Sequence, residues 1–270
     1  MITRTIPNLS FDQICRSGQC FRMKKLEEGH WEVIGGKRRI EVCQQGNECT
    51  FFCSEEKFEN FWAGYFDLDG NYGEYIGRIN PRDSYLTAAA EAGWGVRILR
   101  QDLWEMIVTF LISQQNNITR IRRCVENICS TYGDLCVDEM GNEYYGFPDP
   151  KKLAVLEENE LMACNLGYRS KYVVRTARMI ASREFDLDEV RGLSYEKARA
   201  RLMTLFGVGE KVADCICLFS LHQLQAFPID THIRQVLENH YKRGFPNRRY
   251  KGIQGVMQQY IFYYELENKV

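Results

Sequence analysis

Between Gly29 and Phe52 short β-prone runs, HWEVIGG, RRIEVCQQ and CTFFC, alternate with polar Gly and Asn turn signals. Runs and turns of that kind predict an antiparallel sheet. From about Asp102 the period lengthens to that of a helix. DLWEMIVTFLIS opens with Asp102 and Glu105 at capping-box spacing and continues as a broad apolar face. Helical patterns follow over NNITRIRRCVENICSTYG, KKLAVLEENELMAC, RSKYVVRTARMIASRE, SYEKARARLMTLFG, the stretch after Lys211, THIRQVLENHY and QGVMQQYIFYYELE. The expected fold class is α+β: an N-terminal α+β domain with an antiparallel sheet over residues 1–100, then a mainly α-helical domain over 101–270. No fixed-period repeat or low-complexity segment interrupts this plan.

Composition narrows the class. The 270 residues, 45% hydrophobic, suffice for a real core. The opening MITRTIPNLSFDQ lacks the apolar run of a secretory signal, and stretches such as MIVTFLI are too short for a bilayer, so an intracellular protein with no membrane partner is expected. Eleven cysteines are odd in number, scattered, and never spaced C-x-x-C; with four histidines they give no zinc pattern. Reduced thiols and no bound metal are expected. The net charge of -1 hides an asymmetry: residues 151–270 hold 19 Lys+Arg against 14 Asp+Glu, and residues 1–150 hold 16 against 22. The basic half modestly favours a polyanionic partner.

That half also contains LFGVGEKVADCIC, residues 205–217. Only FGVGE separates two helical patterns, so the chain must reverse over a hairpin in which Gly207 and Gly209 can take positive φ, a helix-hairpin-helix over about 194–221. Such a turn exposes backbone N–H groups at the start of the second helix, where the dipole suits a phosphate oxygen. A lone G-x-G is more often a plain helical connector. Lys211, however, sits in the first turn, where a cation is electrostatically misplaced; the dipole and any burial favour its neutral, nucleophilic form. A lysine snorkelling to water is the structural alternative. Downstream, in FPIDTHIRQVL, Asp230 occupies an N-cap position, which would keep its carboxylate ionised and able to stabilise a developing cation.

GVGEKVADCICLFSL followed by FPIDTH resembles the helix-hairpin-helix and aspartate signature of the DNA glycosylase superfamily, and most closely its 8-oxoguanine DNA glycosylase/AP lyase branch. SGQCFRM (17–23), YFDLD (65–69), GVRILRQD (95–102), FLISQQNNITRI (110–121) and LGYRSKYV (166–173) resemble the same branch, so the likeness runs over nearly the whole chain. A neighbouring branch, of the endonuclease III type, carries a C-terminal four-cysteine iron-sulfur cluster; no cysteine here follows Cys217.

The resemblance implies excision of 8-oxoguanine from damaged double-stranded DNA by a monomer without a cofactor. Lys211 would attack C1′ and form a Schiff base that permits β-elimination, and Asp230 would support the oxocarbenium-like transition state. A flipped base would be read by the Gly18 carbonyl, at N7, and by Gln258, Phe262 and Cys215. Arg120, Tyr168 and Arg169 would embrace the orphaned opposite base, with Gln115 and Asn116 beside them. His232 and the backbone amides of Gly207, Gly209 and Val212 would hold phosphates. Gln114 and Gln115 stand where the animal-type enzymes have a Ser-Asn pair, which leaves strict preference for an opposite cytosine open. Without the resemblance, a non-catalytic helix-hairpin-helix DNA-binding module, or an aldolase-like lysine enzyme, would account for the hairpin.

Overall fold

The computed structural model describes residues 1–268. Strands β1 (Ile2–Thr5), β2 (Met23–Glu27), β3 (His30–Gly35), β4 (Arg38–Gln45) and β5 (Glu48–Phe51) form one antiparallel sheet in the order β1-β5-β4-β3-β2. The sequence pattern captures β3 to β5. It does not show β1 and β2, because edge strands bury little: in β2 only Met23 is buried. In β3 and β4 the pairs Trp31↔Val42 and Val33↔Ile40 set the core face. The helix α1 (Phe11–Arg16) closes that face, with Phe11 edge-on to Phe51 and Phe66.

The principal helices that follow are α2 (Ser84–Ala92), α3 (Leu103–Ser113), α4 (Ile118–Tyr132), α5 (Ser170–Ala181), α6 (Tyr195–Leu202), α7 (Glu210–Phe219), α8 (Thr231–His240) and α9 (Gln254–Glu267). Their core includes α3, which is buried from Leu103 to Ile112, and α2, which packs on α9. Two helix expectations change. Asp102 caps α3 by accepting from the Glu105 N–H at 2.9 Å, but Glu105 does not complete a capping box; its carboxylate turns away to accept from Gly36 N–H at 2.7 Å. KKLAVLEENELMAC is two short helices, Pro150–Ala154 and Glu158–Met162. Glu157 and Glu160 form a capping box that restarts the chain after Val155.

Between α4 and α5 the connection holds a hairpin that the sequence pattern does not reveal, β6 (Leu135–Val137) with β7 (Glu143–Tyr145). It clamps the outer face of the large sheet: Arg39 pairs with Glu32, Glu41 and Asp138, and Phe147 N–H donates to Gly36 O at 2.8 Å. That cover explains why β3 buries both faces and loses a clean alternation.

A second seam joins the sheet to the helices. Asp67 is 1% exposed, receives Arg100 at 2.7 Å and the Tyr72 hydroxyl at 2.9 Å, and lies 3.0 Å from His222 Nε2, just beyond α7. Burial alone would raise its pKa, but hydrogen bonds and charge from His222, then Arg100 and Tyr72, hold it down to about 2. The folded value lies below the unfolded one, so this stabilisation is complete above the unfolded carboxylate value and is lost as pH falls through about 2. Asp67→Ala should cost about 2 to 3 kcal/mol near neutral pH, since the buried Tyr72 hydroxyl and His222 lose their acceptor while the half-exposed Arg100 stays solvated. Denaturant melts of the two proteins should converge as pH approaches 2; a constant gap across that range would refute the assignment.

Candidate active site

The helix-hairpin-helix is built from α6 and α7. Asp214 ties the two together, accepting from the Tyr195 hydroxyl and from Arg199 Nε, each at 2.7 Å. The turn between them corrects one expectation. Gly207 has φ +90°, and a Cβ there would meet the Tyr172 ring at 2.7 Å, so the fold itself requires glycine. Gly209 is instead extended, with φ −93°, as the N-cap of α7. A Cβ at Gly209 would meet nothing within 4 Å. Its lack of a side chain is therefore not demanded by packing or backbone.

The second residue of α7 is Lys211, half-buried, with Nζ 5.4 Å from the centroid of the Phe110 ring. That ring is held by stacking on Phe219 at 5.6 Å, so α3 supplies an aromatic wall behind the amine. One turn on, Cys215 is 3% exposed; burial pushes its thiol up, and the nearby Lys211 amine only partly opposes this. Asp230 caps α8, its carboxylate accepting from Ile233 N–H at 2.8 Å.

Gly18 arrives from the sheet side, in the turn after α1, with φ +72°. Its neighbour Gln19 is wholly buried and fixes the turn: Nε2 donates to Arg97 O at 2.8 Å, Oε1 accepts from Leu99 N–H at 2.9 Å, and its carbonyl accepts from Gln101 Nε2 at 2.9 Å. Gln101 N–H in turn donates to Phe219 O at the end of α7. Gly18, Phe110, Lys211, Asp230 and Phe262 all line a cleft of about 680 Å³. The same five line a small pocket of about 50 Å³ behind it, which Cys215 and Gln258 also border. The cleft has the size of a small-ligand site. The inner pocket has room for water but not for a purine. The Phe262 ring closes it, lying where a Gly18 Cβ would approach within 2.9 Å.

Residues 1–107 match the family described as 8-oxoguanine DNA glycosylase, N-terminal domain, and residues 108–248 match the HhH-GPD superfamily of base excision DNA repair proteins. The N-glycosylase/DNA lyase of Saccharomyces cerevisiae is 35% identical over 260 residues, 87% of this chain and 69% of that protein. The chain belongs to the 8-oxoguanine DNA glycosylase family. The N-glycosylase/DNA lyase of Arabidopsis thaliana is 32% identical over 83% of this chain, which spans 64% of it. The fold agrees: the 8-oxoguanine glycosylase/lyase of Clostridium acetobutylicum, solved with double-stranded DNA containing cytosine opposite 8-oxoguanine, superposes with a TM-score of 0.93 at 34% identity, over 99% of this chain and 95% of that one.

Within this family member the remaining expected residues separate into two groups. Tyr168 is 45% exposed beside the cleft loop, its hydroxyl 3.3 Å from Gln115 Oε1. Arg120 is exposed at the start of α4, and its guanidinium donates to Asn165 O. Arg169 differs: it is 3% exposed, and its guanidinium donates to the carbonyls of Leu166, Gln114 and Gln115. It fixes the 114–115 turn, where Gln115 has φ +47°. Asn116 ends α3 by donating to Ile112 O at 3.0 Å, and Gln114 Nε2 reaches Gly207 O at 3.1 Å, linking this loop to the hairpin. His232 stands edge-on to Phe262, ring centroids 6.2 Å apart. Val212 is buried on α7. Gln258 is 4% exposed and donates through Nε2 to Pro228 O at 3.1 Å. Sequence reasoning misses Phe110, Pro228 and Gln259 as pocket walls. Phe110 reads as one more core residue of α3, and only its stacking on Phe219 reveals its place.

The two hairpin glycines should respond differently to alanine. Gly207→Ala should lose about 1 to 3 kcal/mol from backbone strain alone and lower Tm by several degrees. Gly209→Ala should cost less, about 1 kcal/mol or below, because it loses only the N-cap preference for glycine over alanine and meets no clash. Thermal melts of the pair test both; equal losses would contradict the turn geometry.

Proposed function

We propose that this protein flips 8-oxoguanine out of duplex DNA, excises it through a lysine Schiff base, and cleaves the strand by β-elimination. The reading rests on one observation: Lys211, Asp230 and the Gly18 turn, which come from three separate parts of the chain, line a single cleft that leads into a pocket walled by Phe262 and Gln258. One chain completes the site, in keeping with a monomer acting wherever the cell holds its DNA.

The chemistry follows from the positions. A nucleotide inside a stacked duplex is out of reach, so the base must leave the helix and displace the Phe262 ring to enter the inner pocket. The Lys211 amine then attacks C1′, the base departs with the glycosidic electron pair, and the Asp230 carboxylate stabilises the positive charge that develops on the sugar. Ring opening gives the imine, loss of a C2′ proton expels the 3′ phosphate, and hydrolysis returns the amine. Cys215, held protonated by burial, serves as a wall and not as a competing nucleophile.

The hairpin supplies the grip. The N–H groups at the start of α7 would hold a phosphate oxygen, since Gly209 puts no side chain before them and a Cβ there would meet nothing within 4 Å. His232, beside Phe262, would hold a second phosphate. Tyr168 and Arg120 would fill and read the space left in the opposite strand, while Arg169 serves them by fixing the 114–115 turn. The carbonyl of Gly18 would accept from N7–H, which 8-oxoguanine has and guanine lacks.

Borohydride trapping on duplex DNA containing 8-oxoguanine tests the whole reading. Wild-type protein should give a covalent adduct and Lys211→Gln none, while lesion binding persists; an adduct with the variant would assign the chemistry to another amine. Asp230→Asn should keep its melting temperature, because Asn caps helices as well as Asp. Its single-turnover excision should fall by about 100-fold or more, the order expected for a lost electrostatic stabiliser. Gly209→Ala, folded as the parent, should bind duplex DNA more weakly. Parental affinity in that variant would remove the hairpin amides from the interface.

A further inference from the structure

The inner pocket contains a second amide. Gln259 is 1% exposed, lines the 50 Å³ pocket together with Lys211 and Gly18, and has a buried Oε1 with no hydrogen-bond partner. The oxygen of its neighbour Gln258 is likewise buried without a partner, its Nε2 being engaged by Pro228 O. Along α9, successive side chains turn by about 100°, which places Gln259 about 60° from Phe262 on the same side of the helix. Buried amide oxygens are seldom left unsatisfied, and two beside one cavity point to a ligand that brings hydrogen-bond donors.

We propose that Gln259 is a specificity-determining residue of the base pocket, its amide oxygen accepting a hydrogen bond from the exocyclic amino group of a guanine-type base. The inference rests on the excision reading above. The Watson–Crick edge of 8-oxoguanine carries N1–H and the C2 amino group side by side, two neighbouring donors for two neighbouring acceptors. Hypoxanthine-type bases lack the amino group, and adenine-type bases carry a lone pair at N1. This pair of amides therefore selects the class of purine, while the Gly18 carbonyl reads its oxidation. The two decisions come from opposite sides of the pocket, one from the last helix and one from the sheet unit.

The test compares single-turnover excision of 8-oxoguanine with that of 8-oxohypoxanthine, which lacks only the C2 amino group, in otherwise identical duplexes. Wild type, Gln259→Leu, Gln259→Met and Gln259→Glu are measured, and differences in duplex pairing cancel when the rate ratio is compared between proteins. Losing the acceptor in the Leu and Met variants should lower the ratio by about fivefold to tenfold, chiefly through slower excision of 8-oxoguanine. The Glu variant, which keeps an acceptor oxygen, should hold the ratio near that of wild type. If both apolar variants slow the two substrates equally, Gln259 is a packing residue and the proposal fails. Two apolar side chains of different shape guard against one failing to fold. A wild-type protein that neither excises 8-oxoguanine nor traps on it would overturn the excision reading itself, an outcome distinct from an unchanged ratio.

Discussion

The site depends on holding one carbonyl in register with one amine across two hydrophobic cores. Gly18 belongs to the sheet side and Lys211 to the helices, and a shift of about 1 Å between them would spoil the proposed reaction, which requires near-attack geometry. Gln19 supplies the register. Its side chain and backbone make three hydrogen bonds to residues 97–101, and that segment bonds onward to the end of α7. In a buried, low-dielectric position such bonds are strong when made and costly when broken, so the seam is satisfied in full or fails. Asp67 repeats the principle nearby, joining Arg100 and Tyr72 to His222.

The hairpin resolves a different conflict. A lysine at a helix start opposes the dipole, yet there it lies within reach of the cleft and against an aromatic face that favours a nearby cation. The two glycines divide the remaining work. Gly207 allows the reversal and fits under Tyr172, whereas Gly209 leaves the helix start bare. A structure satisfied with capping alone would place Ser or Asp at that N-cap; glycine sacrifices a side-chain cap and keeps the backbone approachable.

The inner pocket is nearly closed, and its polar walls carry unmet acceptors. In the proposed function an entering base would replace the Phe262 contact and supply donors to these oxygens. The proposed recognition is thereby tied to entry: a base that lacks the right donors would open the pocket without satisfying its oxygens.

Patterns that depend on residues close together in the chain are legible in the amino-acid sequence. Short β-prone runs between turn signals mark β3 to β5, Asp102 and Asp230 announce their caps, and G-V-G-E-K with P-I-D-T-H carries the family signature. Partners far apart are not legible in the same way. β1 and β2 are edge strands whose existence depends on pairing with a formed sheet, and the β6–β7 hairpin draws its stability from Arg39 across the fold. Arg169 reads as one more DNA-facing arginine, yet tertiary contacts bury it against Gln114 and Gln115. Gln259 reads as an ordinary helical residue beside Gln258. The sequence by itself determined the candidate reactive side chains and the turns that present them, since motif and short spacing set those. Only the tertiary structure decided which carbonyl, ring and amide meet around them, because that choice belongs to packing and hydrogen bonds between segments about 80 residues apart.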